Sequence, residues 1–259
     1  MTPTTFPRSY RAVAAVLRPL LMVTTRRHWR GAEHLPVGGF IAAGNHLTNV
    51  DPLTFAHFLY DNGRAPKILA KHSLFAVPFL GWVLRKTGQI PVQRGSARAG
   101  DSLGPAIAAL DAGECVAVFP EGTLTRDPDL WPMEAKTGVA RLALSTRVPV
   151  VPIAQWGMQD LMGRYSAVLK PFPPKDVHVV AGPPVDLSDL YDRPQDSAAL
   201  REATSRVMAA ITALLAEIRQ EEPPARTWDI RRDGDPHAVA KAAKAARKGR
   251  RRTTDGGQA

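Results

Sequence analysis

A chain of 259 residues is long enough for one sizeable hydrophobic core. Its single cysteine rules out an internal disulfide, and its seven histidines show no metal-ligand spacing, so no metal centre is expected. The net charge of +10 belongs to the ends: residues 1–31 hold six arginines and no acid, and residues 223–259 hold ten Lys/Arg against four acids.

In chain order, the first element is an apolar stretch from Tyr10 to Thr25, interrupted by Arg18. No stretch near 20 residues is free of charge, so no transmembrane helix is expected, and no small-residue site marks a secretory signal. At 100° per residue, Arg8, Arg11, Arg18 and Arg26 fall within about 80° of one another, opposite Val13, Val16, Leu17, Leu20 and Val23. Such a helix lies in a membrane interface, or it packs on the body as an ordinary amphipathic helix; Pro19 kinks or splits it. Residues 1–30 are expected to form this helix, and 31–222 one folded domain.

That body alternates. Apolar runs at Phe40–Ala43, Lys67–Ala70, Cys115–Phe119, Val148–Ile153 and Val177–Val180 read as strands. Helical patterns lie between them at Pro52–Tyr60, Val77–Lys86, Gly104–Ala112 and Glu134–Ser145, and a long one follows from Ser197 to Glu221. This predicts a single α/β domain with a mixed, mostly parallel sheet covered by helices on both faces. Cys115 sits inside an apolar run and reads as a small buried hydrophobe. Beyond Pro223-Pro224, a Lys/Arg-rich stretch with no apolar face reads as a disordered basic tail over 223–259.

The chemistry concentrates in Gly44-Asn45-His46-Leu47-Thr48-Asn49-Val50-Asp51-Pro52. It follows a strand and opens a helix, with Asp51 expected as N-cap and Pro52 at the first helical position. A carboxylate beside an imidazole holds one tautomer and stabilises the imidazolium that forms on proton uptake. With no obvious serine nucleophile in the motif, a direct mechanism fits, in which His46 takes a proton from the acceptor's own hydroxyl. The plainer alternative is a capping Asp51 beside a polar loop histidine. In Phe119-Pro120-Glu121-Gly122-Thr123-Leu124-Thr125-Arg126, a strand ends in polar residues, where open α/β sheets bind ligands. Gly88-Gln89-Ile90-Pro91-Val92-Gln93-Arg94 supplies an arginine whose planar donors suit a phosphate monoester.

The order of these segments, closed by Val148-Pro149-Val150-Val151-Pro152-Ile153, resembles the glycerolipid acyltransferases, whose best-known members are the 1-acylglycerol-3-phosphate acyltransferases. The resemblance spans about residues 31–185 and takes in Lys71 to Gly81 and Lys136-Thr137-Gly138. It implies His46 and Asp51 as the catalytic pair, and Arg94, Glu121, Gly122 and Thr123, with Lys71 and Lys136, as the substrate site. Glu121 is expected to orient Arg94 or to accept from a glycerol hydroxyl. One departure stands out: the family often has arginine directly after Phe-Pro-Glu-Gly-Thr, where this chain has Leu124, with Arg126 two residues on.

The expected reaction moves a fatty acyl group from acyl-CoA or acyl-carrier protein, a co-substrate rather than a cofactor, to a lysophosphatidate hydroxyl. The amides at the helix start after Asp51 are one guess for oxyanion donors. The expected partners are an anionic phospholipid surface, acyl-CoA and a lysophospholipid, with no specific nucleic acid. The expected location is peripheral, on the cytoplasmic face of the membrane. Rival readings are another lysolipid or glycolipid acceptor, a thioesterase, and a noncatalytic membrane- or nucleic-acid-binding protein using the basic ends.

Overall fold

The computed structural model describes residues 6–93 and 103–239. Seven strands form one sheet: β1 (Thr25–Arg30), β2 (Phe40–Gly44), β3 (Lys67–Lys71), β4 (Ile90–Val92), β5 (Cys115–Val118), β6 (Val150–Trp156) and β7 (Lys175–Ala181). Their spatial order is β1-β7-β6-β2-β5-β3-β4. Every adjacent pair is parallel except β6 with β7. The expected mixed, mostly parallel sheet is therefore present.

Side-chain alternation along the central strands builds two cores. Phe40 and Ala42 of β2 face one side, with Ala117 of β5 and with Phe55 and Phe58 of α2 (Asp51–Asp61). Ile41 and Ala43 face the other, where α4 (Gly104–Asp111), α5 (Gly138–Thr146) and α7 (Ser197–Arg219) pack. Both faces are covered, which is why β2 and β5 read as unbroken apolar runs. Cys115 is buried, and that burial pushes its thiol pKa up, as befits a packed hydrophobe.

The five strands expected from apolar runs are all present; β1 and β4 are additional, and they are the two edges of the sheet. β1 is Thr-Arg-Arg-His-Trp-Arg with only its first residue buried. An edge strand pairs on one side only and tolerates charge on the other. β1 also corrects the N-terminal boundary. The helix α1 (Arg8–Thr24) stops short of residue 25, and Arg26 belongs to β1 beside Asp176, not to a basic helix face. α1 buries Tyr10 and Leu21 against the body, and Arg18 bonds Asp61 at the end of α2 at 2.7 Å. Val16, Leu20 and Val23 stay exposed.

Two further boundaries move. α5 starts at Gly138 rather than Glu134, because the preceding amides bond elsewhere: Glu134 N–H to the Trp228 carbonyl and Lys136 N–H to the Pro120 carbonyl. The tail from 223 is not featureless over its described part, residues 223–239. A short helix, α8 (Ile230–Asp233), Trp228, an Arg126–Asp235 ion pair at 3.2 Å and a Tyr165–His237 ring contact hold it to the body. Residues 240–259 lie outside the described residues. Among the described residues no helix is long and apolar enough to cross a membrane.

Candidate active site

β2 delivers Gly44, Asn45 and His46 to the carboxyl edge of the sheet, the usual place for ligands in this architecture. Gly44 is required by packing, since a Cβ there would collide with the Phe55 ring. Asn45 is fully buried and pairs with Gln155, the penultimate residue of β6. Its Nδ2 donates to the Gln155 carbonyl at 2.9 Å, its Oδ1 accepts the Gln155 N–H at 2.8 Å, and its carbonyl accepts Gln155 Nε2 at 3.0 Å. This exchange fixes the backbone immediately before His46.

His46 is then held at both backbone groups and at one ring nitrogen. Its N–H donates to Glu121 Oε1 at 3.0 Å, and its carbonyl accepts the Thr125 N–H at 2.8 Å. Its Nδ1 lies 3.1 Å from Asp51 Oδ2, and its ring stacks on Phe119 with centroids 4.4 Å apart. The Asp51 carboxylate also accepts from the Leu47 N–H, the Thr48 N–H at 2.7 Å and the Thr48 hydroxyl at 2.9 Å. A carboxylate ringed by donors assigns the imidazole proton to Nδ1 and leaves Nε2 as the acceptor. The side chain of Asp51 is wholly buried while that of His46 keeps 11% exposure, so Nε2 chemistry is reachable and the carboxylate is not.

Asp51 differs from expectation in one respect. α2 begins at Asp51 itself, with Val50 in the cap position, and the carboxylate turns back to the 47–48 amides instead of capping its own helix. The start of α2 does not offer the expected oxyanion donors. Asp51 N–H bonds the Thr48 carbonyl, Leu53 N–H bonds the Val50 carbonyl, and Pro52 has no N–H.

Glu121 follows β5. It is buried, and its two oxygens accept the His46 and Met133 N–H groups at 3.0 and 3.1 Å. These two bonds brace the two halves of the site against each other. Burial pushes the Glu121 pKa up to about 8; the two amides and Thr125 pull the other way, and Asp51 adds to the rise. Gly122 has a φ of +70°, a left-handed conformation that favours glycine, and the Lys136 stem packs over it, 3.1 Å from where a Cβ would sit. Thr123 is half-buried beside them. Lys71 ends β3 at the same sheet edge, exposed. Arg94 lies outside the described residues. Leu124 is buried, and Arg126 bonds the Tyr165 hydroxyl at 2.6 Å beside Asp235. Gln155, Thr125, Thr48 and Phe119 also shape the site. Thr48 and Phe119 stood inside the motifs without an assigned part, whereas Gln155 left only a faint signal, a polar residue just past an apolar run.

The sequence profile of the Acyltransferase family matches residues 26–156, from β1 through the whole of the site just described. The chain belongs to the acyltransferase family. Among curated relatives, it is 32% identical over 136 residues to the chloroplastic 1-acyl-sn-glycerol-3-phosphate acyltransferase BAT2 of Brassica napus. It is 36% identical over 132 residues to the 1-acyl-sn-glycerol-3-phosphate acyltransferase of Borreliella burgdorferi. These matches take in 51% and 50% of this chain and 38% and 51% of those proteins, so the chain spans no more than about half of the relatives' lengths. The crystal structure of the 1-acyl-sn-glycerophosphate acyltransferase PlsC from Thermotoga maritima shares the fold, with a TM-score of 0.60 over 85% of this chain and 86% of that one at 23% identity. The acyltransferase domain thus carries its His46–Asp51 pair at the carboxyl edge of an α/β sheet, between the β2 and β5 loops.

Proposed function

We propose that this acyltransferase moves a fatty acyl group from a thioester, acyl-CoA or acyl-carrier protein, to the free hydroxyl of lysophosphatidate at the cytoplasmic face of a membrane. The observation that carries the reading is the imidazole held at Nδ1 by a buried carboxylate, with Nε2 reachable. Nε2 takes the hydroxyl proton as the oxygen attacks the thioester carbonyl. The C–S bond breaks, and the imidazolium returns the proton to the departing thiolate. Proton transfer of this kind is worth about 10²–10⁴-fold in rate. Asp51 fixes the tautomer and offsets the charge on His46. Arg94 and Lys136 are the cations proposed for the acceptor phosphate, with Lys71 toward the donor or the membrane. The names of the curated relatives support this acceptor.

Docking on a lipid surface is proposed through α1. Its exposed Val16, Leu20 and Val23 stand on the helix face opposite Arg8, Arg11 and Arg18, which with Tyr60 line a shallow groove of about 620 Å³. That pairing of apolar and cationic surface suits an anionic interface. A second acceptor, a lysolipid with a larger head group, is favoured by one observation. Leu124 replaces the expected cation, and Arg126 is already engaged by Tyr165 and Asp235.

The deciding measurement is thiol release from palmitoyl-CoA with and without lysophosphatidate. Release is expected to depend on the acceptor and to vanish in His46→Ala, whose circular dichroism should match the parent. Equal release without acceptor would make the protein a hydrolase, and near-parental activity in His46→Ala would sink the mechanism.

A further inference from the structure

Fifteen large apolar residues are exposed among the described residues, and thirteen of them fall in three segments. One is α1. The second runs from the turn after β3 into α3 (Pro78–Lys86), where Val77, Phe79, Leu80 and Trp82 face solvent, Phe79 at 78% exposure. The third is the loop between α6 (Met158–Leu161) and β7, where Val168, Leu169 and Phe172 do, Phe172 at 67%. Contiguous exposed apolar surface of this kind marks an interaction site.

Topology puts the second and third segments at the edge of the sheet that carries His46. β3 runs parallel to β5, and β6 parallel to β2, so the chain leaves β3 and β6 at the carboxyl edge where β2 and β5 present the site. In the strand order β6 and β3 lie on either side of the β2–β5 pair, so the two segments flank the catalytic edge left and right.

The charge pattern says what meets them. Residues 71–86, from the end of β3 through α3, hold three Lys/Arg and no acid, and residues 161–175 hold three and no acid. The rest of residues 32–222 holds twelve Lys/Arg against twenty acids. The two stretches that expose aromatic and aliphatic side chains are thus purely cationic in an otherwise acidic body. Two copies of such a surface would repel each other. An anionic bilayer satisfies both halves of it, because apolar side chains enter the interface while Lys and Arg meet the head groups.

We propose that α3 and the 163–174 loop seat the catalytic edge itself on an anionic phospholipid bilayer, one on each side of the site. The active site then opens onto the membrane, and an acyl acceptor enters from the leaflet without crossing water. This last consequence rests on the acyltransferase reading; the surface does not.

The test is co-sedimentation of the full chain with vesicles of phosphatidylcholine containing phosphatidylglycerol. Phe79→Ser/Trp82→Ser and Leu169→Ser/Phe172→Ser alter exposed side chains only. Each pair is expected to lower the vesicle partition coefficient by about tenfold or more, with turnover of a soluble short-chain lysophosphatidate retained. Parental partition in both variants would overturn the proposal. So would variants that keep vesicle binding but lose binding to acyl-carrier protein, which would make the surface a protein-docking face. If the parent turns over no acyl acceptor at all, the acyltransferase reading fails, while the partition coefficients still decide the surface.

Discussion

His46 and Asp51 work through hydrogen-bond geometry set almost wholly within six residues. Replacing Asp51 by Asn supplies an amide where the Leu47 and Thr48 N–H groups require an acceptor, and it removes the charge that fixes the His46 tautomer. Turnover in Asp51→Asn is expected to fall by about 10²–10⁴-fold, read as kcat in the acceptor-dependent thiol-release assay. An unchanged kcat would show that the pair is structural. Glu121 makes a different prediction. Its folded pKa of about 8 lies above that of an unfolded carboxylate, about 4.3, so between those values the folded state holds more protons than the unfolded one. This group's contribution therefore makes stability decline as pH rises through that window. Glu121→Gln cannot titrate and is expected to flatten the decline, measured by urea unfolding of both proteins between pH 5 and 8.5. Parallel stability profiles would contradict the raised pKa.

At the scale of elements, the site depends on the registration of β2 with β6. Asn45 and Gln155 exchange three hydrogen bonds in full burial. Asn45→Ala leaves the Gln155 N–H and carbonyl without those partners, at an expected cost of about 1–3 kcal/mol. Chemical denaturation measures it, and a loss well under 0.5 kcal/mol would show that water replaces the amide. The same pair shows what the sequence makes legible and what it does not. Asp51 and its donors lie within five residues of one another, so the motif could be read directly. Gln155 meets Asn45 across 110 positions, and no local pattern announces such a partner. Central strands announced themselves because both faces are buried. β1 and β4, at the margins, did not, since an edge strand such as Thr25–Arg30 can carry three arginines. Glu121 stood out in its motif beside Gly122, but its partners did not: the His46 and Met133 amides lie 75 and 12 positions away, and only the fold brings them to its two oxygens.

The whole molecule is closed by its C-terminal segment. Trp228, Asp235 and His237 reach back to Glu134, Arg126 and Tyr165, all on the loops beyond β5 and β6. A chain ending at residue 222 loses these contacts. Its melting temperature is expected to fall by about 2–4 °C, the effect of roughly 1 kcal/mol in a domain of this size. Scanning calorimetry of the two chains decides it, and an identical transition would mean that the segment only rests on the body.

The three-way hold on His46 has one more consequence. Its backbone N–H is sealed against Glu121 inside the protein, so a solvent deuteron can reach it only when the β2 and β5 loops part. That one amide is a built-in clock for opening of the catalytic edge. Its exchange time, followed by magnetic resonance, would show how often the site comes undone in the resting protein, and whether a bound acceptor keeps it shut.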